Sequence, residues 1–259
     1  MKQQFHLRWY VWAFLTTSYA CSFLGRWDEA TENGQEALRV AEEYSDNCLI
    51  SLAGWVTSWA YTFKGDLKEA MKYAELAVEK APTPADRLFS RIALASVWCR
   101  VGKVKEGIEI LEANVPIYRA GRHTPSELMN TMRLGEAYFF AGDYDRGRRA
   151  LADFLRVTER CGARFCSGFA YRLLGEIALK TDPHEAAPNF EKSIALLTEI
   201  KAENELALAY ASYGRLHKQQ GDFSHARDYL AKALAIFERL GTLIEPEKAR
   251  EELAGLPEG

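Results

Sequence analysis

Histidine, proline and cysteine are scarce in this chain, at 5, 8 and 5 residues of 259. Few prolines leave few forced helix breaks. Cys21, Cys48, Cys99, Cys161 and Cys166 show neither an even-numbered framework nor metal-finger spacing, so free, mostly buried thiols are expected. Cys161 and Cys166, five apart across a predicted loop, are the one spacing open to a redox pair. The histidines His6, His123, His184, His217 and His225 include no pair at zinc spacing, and His217 is expected to pack between helices. A phosphate-cradling glycine loop and a nucleophile elbow are missing as well. No catalytic, cofactor or metal site is therefore expected, which points away from an enzyme.

Two further absences narrow the class. No stretch could span a membrane, and a net charge of −3 lacks the basic footprint of a general nucleic-acid binder. Neither a membrane nor a nucleic acid is an expected partner, and a cytoplasmic location is expected. Lys2 and Arg8 ahead of the apolar run 9–15, with Ser18, Ala20 and Cys21 behind it, imitate a signal peptide. Cleavage there would remove positions that belong to the pattern described next.

Glycines 25, 65, 102, 142 and 221 recur at intervals of 40, 37, 40 and 79 residues. Seven places before each stands a small residue: Ser18, Ser58, Ala95, Gly135 and Gly214. Five places after stands another: Ala30, Ala70, Gly107, Gly147 and Ala226. Two places after stands an apolar residue, Trp27, Leu67, Val104, Tyr144 or Phe223, where a second helix should begin its buried face. Glycine accepts the positive φ that ends a helix, and small side chains on both sides let paired helices approach closely. The doubled interval hides a degenerate unit, with Gly175 and Ala186 in the small positions and Thr181, Asp182 and Pro183 replacing the glycine turn. Outer turns carry signals of their own: a capping box at Thr124, Pro125, Ser126 and Glu127, a similar start at Thr83, Pro84 and Asp86, and C-terminal caps at Gly121, Gly162 and Gly241.

Tyr210, Tyr213, Gly214, His217, Gly221, Ala226, Leu230 and Ala233 fall on the signature positions of the tetratricopeptide repeat, and Leu134, Gly135, Tyr138, Gly142 and Leu151 follow them. The chain thus resembles that family over about residues 5–240, with a unit near 40 residues in place of 34. The resemblance implies an all-α, right-handed α-solenoid of about six helical hairpins (5–45, 46–82, 83–121, 122–162, 163–201 and 202–241) and a C-terminal cap at 244–254, taken as a single domain over 1–259. Such long units look like arrays of large bacterial signalling proteins, among them regulatory ATPases, adenylate cyclases and maltose-regulator-type activators. The closing segment 237–253 is similar.

In this architecture the first helix of each hairpin lines an inner groove. Register counted from the glycines places Trp12, Leu15 and Tyr19 there, then Trp55, Trp59 and Phe63, Phe89 and Ile92, and Met132 and Phe139. The last two units turn charged, with Arg172, Glu176, Arg215 and Lys218. Trp55 and Trp59 are the expected accessible anchors for a protein or peptide partner, since aromatic residues dominate such contacts; burial between neighbouring hairpins is the competing reading. The resemblance also implies that a chaperone-carboxylate clamp, built from lysine, asparagine and arginine at these positions, is disfavoured here.

The charged surface offers less. Arg146, Arg149, Arg156 and Arg160 form a stripe that an acidic partner could meet, although interspersed Asp153 and Glu159 suit a solvated face. Trp9, Tyr10, Trp12 and Phe14 lack a polar capping unit in front of them. Either the array continues N-terminally in a longer chain, or that end docks on another molecule or a second copy. The expected function is thus a non-enzymatic interaction or effector-sensing module in a larger signalling protein. Self-association into a homodimer and small-molecule sensing in an aromatic pocket are the alternatives.

Overall fold

The computed structural model describes residues 2–121 and 124–257, with the side chains of 2–7 and 124–125 outside that description. His123 and the side chains of His6, Thr124 and Pro125, half of the proposed capping box, therefore lie outside that description. Among those described, every regular element is helical. The helices are α1 (Lys2–Leu24), α2 (Trp27–Glu43), α3 (Asn47–Lys64), α4 (Leu67–Lys80), α5 (Pro84–Arg100), α6 (Val104–Ala120), α7 (Thr124–Phe140), α8 (Tyr144–Cys161), α9 (Arg164–Thr181), α10 (Ala186–Glu199), α11 (Glu203–Gln219), α12 (Phe223–Leu240) and α13 (Glu245–Ala254). They pair as six hairpins followed by a short terminal helix. The chain divides into two compact units, Met1–Asn130 and Thr131–Gly259, with the boundary inside α7.

The glycine intervals translate directly into hairpin turns. Gly25, Gly65, Gly102, Gly142 and Gly221 all take positive φ, between 72° and 93°. The second helices begin at Trp27, Leu67, Val104, Tyr144 and Phe223, the apolar positions read from the sequence. Only Trp27 among these is fully buried, and Phe223 is 38% exposed, so the position marks the helix start more faithfully than its buried face. In the degenerate unit, Asp182 accepts the His184 N–H at 3.2 Å and Pro183–Glu185 form one 3-10 turn leading into α10. Proline at the start of that turn loses no hydrogen bond the helix needs.

The small positions cross one another as expected. Ser18 Oγ donates to the Ala30 carbonyl at 2.6 Å, and Ser58 Oγ to the Ala70 carbonyl at 2.8 Å. A Cβ on Gly107 would sit 3.0 Å from the Ala95 carbonyl, and one on Gly214 would sit 3.2 Å from that of Ala226. Bulk one turn further along rises where the small position has none: Leu151 fills the space over Gly135, Phe190 over Gly175 and Leu230 over Gly214. Close packing thus conserves volume across each crossing.

The outer turns depart from expectation. Gly162 and Gly241 end α8 and α12 in the left-handed conformation at φ 70°. Gly121 does not: its φ is −77°, and its N–H bonds back to the Ile117 carbonyl in a continuing right-handed turn. The left-handed outer turns of the first and fifth hairpins are instead made by Ser45 (φ 52°) and Lys201 (φ 57°). Thr83 caps α5 as read, accepting the Asp86 N–H at 3.1 Å and donating its hydroxyl to the Asp86 carboxylate at 2.6 Å. At the end of the second unit, Leu253 of α13 and Leu256 just beyond it pack into the cluster that holds Leu230 and Phe237.

Candidate functional site

In the first unit, α1, α3 and α5 present one continuous series of rings. Tyr19 packs edge-on to Phe23 at 4.5 Å between centroids and stacks on Trp55 at 5.6 Å with 23° between planes. Trp55 meets Trp59 at 5.3 Å and Phe89 at 4.5 Å, while Trp59 meets Phe63 at 5.8 Å. Register positions read from the sequence are therefore brought together, and Phe23, one turn beyond Tyr19, joins them. Aromatic pairs in these geometries each add about 0.5–1.5 kcal/mol beyond their area.

Accessibility within the series differs from expectation. Trp55 and Trp59 are only 7% and 3% exposed, so they form the floor of the surface and are not accessible anchors. The reason lies in repeat spacing: Tyr19 from the preceding hairpin and Phe89 from the following one cover Trp55 on both flanks. The Trp55 indole N–H, enclosed in this way, has no hydrogen-bond acceptor. Tyr19, Phe23, Phe63 and Phe89 are half-buried and form the accessible rim. Trp12 stands outside the floor at 45% exposure, next to Trp9 at 64% and Tyr10 at 52%.

In the fifth and sixth hairpins, within the second unit, the same register positions carry charge. Arg172 is buried, ion-paired through Nε to Glu205 and through Nη1 to Glu176 at 2.9 Å, with its guanidinium 5.1 Å from the Phe169 ring centre. Glu176 also accepts the Ser212 hydroxyl at 2.6 Å. Arg133 pairs with Glu136 at 2.8 Å, both buried. Burial pushes the Glu205 carboxyl above the usual carboxylate range, against the opposing pull of Arg172. Further along, Arg215 reaches Glu252 on α13 at 2.8 Å, and Lys218 is half-buried beside the Gly255 turn. Met132 is buried and Phe139 half-buried against Tyr144.

Glu205, Arg133, Glu136 and Glu252 lie off the row of positions that the glycine register picks out. The Arg133–Glu136 pair is legible from its i,i+3 spacing alone. Glu205 is not, because its partner lies 33 residues away on the preceding hairpin.

The arginine stripe on α8 is partly neutralised: Arg146 bonds Asp143 at 2.6 Å and lies over Tyr138, and Arg156 pairs with Asp153. The five cysteines are thiols outside any disulfide, and burial pushes the Cys166 thiol up to about 11. His217 packs as read, its ring 4.7 Å from Tyr213 and stacked on Tyr229 at 12° between planes. The hairpin turn also brings it to His225 and Asp222, a juxtaposition that helical spacing rules do not reveal. No helix among the described residues is long and apolar enough to cross a membrane.

Hairpins closed by positive-φ glycines and crossed through small side chains define a helical-hairpin repeat protein. Tetratricopeptide-repeat family models match residues 58–84 and 170–239, and the same crossings recur in the hairpins between and around those segments. The matched segments are similar to tetratricopeptide repeats. No curated protein sequence matches it. Among solved structures, a Rap protein complexed with Competence and Sporulation Factor is similar in fold at 13% identity and TM-score 0.65, covering 94% of this chain and 73% of the other. The apo form of RapI aligns at 10% identity and TM-score 0.64, covering 94% and 84%. BtubC from P. vanneervenii aligns at 15% identity and TM-score 0.58, covering 90% and 94%.

Proposed function

We propose that this chain is a non-enzymatic protein-interaction module of a signalling protein, and that its first unit receives a peptide or helix carrying apolar anchors along the ring series of α1, α3 and α5. The observation that carries this reading is the rim itself: Tyr19, Phe23, Phe63 and Phe89 remain half-buried above a fully buried floor of Trp55 and Trp59. A rigid, prebuilt apolar rim holds an anchor at low entropic cost, because the floor is already ordered by ring-to-ring packing. One fold relative, the Rap protein, is described as complexed with Competence and Sporulation Factor, which supports recognition as a use of this architecture. In the second unit, the same register positions carry Arg215, Lys218 and Glu176 in place of rings.

Selection of displayed peptides on the purified chain tests the proposal. Enriched peptides should carry aromatic or large aliphatic anchors and lose at least about tenfold in affinity on Phe63→Ala or Phe89→Ala, as expected for anchor contacts. Peptides indifferent to both substitutions would reject this surface.

Self-association is the second reading, favoured by the exposure of Trp9, Tyr10 and Trp12 on α1. Light scattering decides it: a dimer lost on Trp9→Glu supports it, and a monomer at high micromolar concentration removes it.

A further inference from the structure

The turn of the sixth hairpin gathers three metal-donor side chains that the interaction reading does not use. His217 stands in the last turn of α11, Asp222 is the N-cap residue of α12, and His225 follows within the first turn of that helix. Gly221, at φ 79°, reverses the chain between them, and the Asp222 N–H donates to the His217 carbonyl at 2.9 Å. The Asp222 carboxylate divides its work. Its Oδ1 accepts the His225 N–H at 3.2 Å, while Oδ2 lies 2.7 Å from His225 Nδ1 and 3.4 Å from His217 Nδ1. The imidazoles stack with centroids 5.2 Å apart, and the three donor atoms all lie within 4.8 Å of one another.

Two observations separate this cluster from an ordinary capped turn. The first is that His217 Nδ1 is buried and makes no hydrogen bond, a state that asks for a reason in a folded interior. The second is internal to the chain. At the same places in the fourth hairpin stand Tyr138, Asp143 and Arg146, where the Arg146 guanidinium bonds the carboxylate at 2.6 Å and covers the tyrosine ring. The sixth hairpin replaces that permanent cation and the ring with two imidazoles, whose ring nitrogens can act as metal ligands.

We propose that His217 Nδ1, Asp222 Oδ2 and His225 Nδ1 bind a first-row divalent transition-metal ion of the zinc class. Two imidazole nitrogens and one carboxylate oxygen suit zinc, cobalt or nickel better than magnesium or calcium, with water completing the shell. Metal–donor bonds of about 2.0–2.2 Å are reached by small rotations that spread the 2.7 Å pair and draw in the wider ones. The cap bond to Oδ1 and the ring packing of Tyr213 and Tyr229 on His217 hold the donors in orientation. A bound ion would cross-link α11 to α12 across the turn.

The test uses the full chain, stripped with chelator and titrated with Co²⁺ as a spectroscopic probe and with Zn²⁺, Mg²⁺ serving as control. One Co²⁺ per chain should bind with visible d–d absorption and be displaced by Zn²⁺, and Zn²⁺ but not Mg²⁺ should raise the melting temperature. His225→Gln retains a polar partner for Asp222, and His217→Tyr installs the residue found at this place in the second and fourth hairpins, Tyr61 and Tyr138. Melting curves without metal check that both variants fold. Each substitution should weaken Co²⁺ and Zn²⁺ binding at least about tenfold, the scale seen when metal-site residues are altered. A wild-type chain that binds neither ion at micromolar concentration overturns the proposal, as does binding that is unchanged in both folded variants.

Discussion

Gly175 on α9 faces the ring of Phe190 on α10, so closely that a Cβ on the glycine would lie 2.6 Å from Phe190 Cε1. The ring is fully buried and cannot swing outward without opening the hairpin. Gly175→Ala should therefore destabilise the chain by about 1–3 kcal/mol, the usual cost of overpacking. The third hairpin indicates the remedy, since its equivalent positions hold Ala95 and Leu111. Adding Phe190→Leu to Gly175→Ala should recover part of the loss, giving a coupling of at least about 0.5 kcal/mol in a denaturant double-mutant cycle. Additive effects would contradict the packing.

Arg172 and Glu205 join the fifth hairpin to the sixth through a buried ion pair. Removing one partner leaves the other charge uncompensated, so Arg172→Met should cost about 3–5 kcal/mol at neutral pH. The pH dependence carries its own sign. Burial already raises the Glu205 carboxyl, and losing Arg172 removes the strongest opposing influence and raises it further. A folded-state pKa above the unfolded value contributes stability at low pH that is lost as pH rises through the folded value. The difference between variant and wild type should accordingly shrink as pH falls from about 8 toward 5. A difference that grows on acidification would refute the assignment.

How much of the fold is legible in the sequence depends on which forces are local. Gly25, Gly65, Gly102, Gly142 and Gly221 announce their turns because positive φ is a backbone constraint that the residue type itself reveals. The crossing positions are equally legible, since a shortage of side-chain volume at fixed spacing marks where two backbones must come close. Trp55 and Trp59 fall on the helix face that the register assigns them, but they are buried where exposure was expected. Burial of a first helix is set by the neighbouring hairpins, and ring contacts from Tyr19 and Phe89 depend on inter-hairpin spacing that register alone does not supply. Counter-ions such as Glu205 are hidden for the same reason.

Trp55 is a floor residue with an indole N–H that finds no acceptor. Replacing it by phenylalanine removes that unsatisfied donor, which offsets part of the cavity it leaves. Trp55→Phe should cost no more than about 1–1.5 kcal/mol in denaturant unfolding, against about 3–5 kcal/mol for Trp55→Ala. Equal losses in the two variants would show that the indole N–H is satisfied in solution.

Lys201 closes the fifth hairpin at φ 57°, a conformation in which a side chain crowds the following carbonyl. Its own N–H bonds to the Thr198 carbonyl at 3.2 Å, and Ala202 beyond it bonds to the Leu197 carbonyl at 3.0 Å, so the turn geometry is fixed by backbone contacts on both sides. The left-handed strain is worth about 1–2 kcal/mol, and a glycine there returns about half of it through greater freedom in the unfolded chain. Lys201→Gly should thus stabilise the protein by about 0.5 kcal/mol, read as a higher denaturation midpoint at unchanged m-value. Gly121, which sits at a corresponding outer turn with φ −77°, supplies the contrast. Gly121→Ala meets no positive-φ penalty, and a Cβ there comes no nearer than 3.4 Å to the Ile117 carbonyl. It should be neutral or slightly stabilising. A destabilising Lys201→Gly alongside a destabilising Gly121→Ala would reverse the assignment of which outer turn needs glycine.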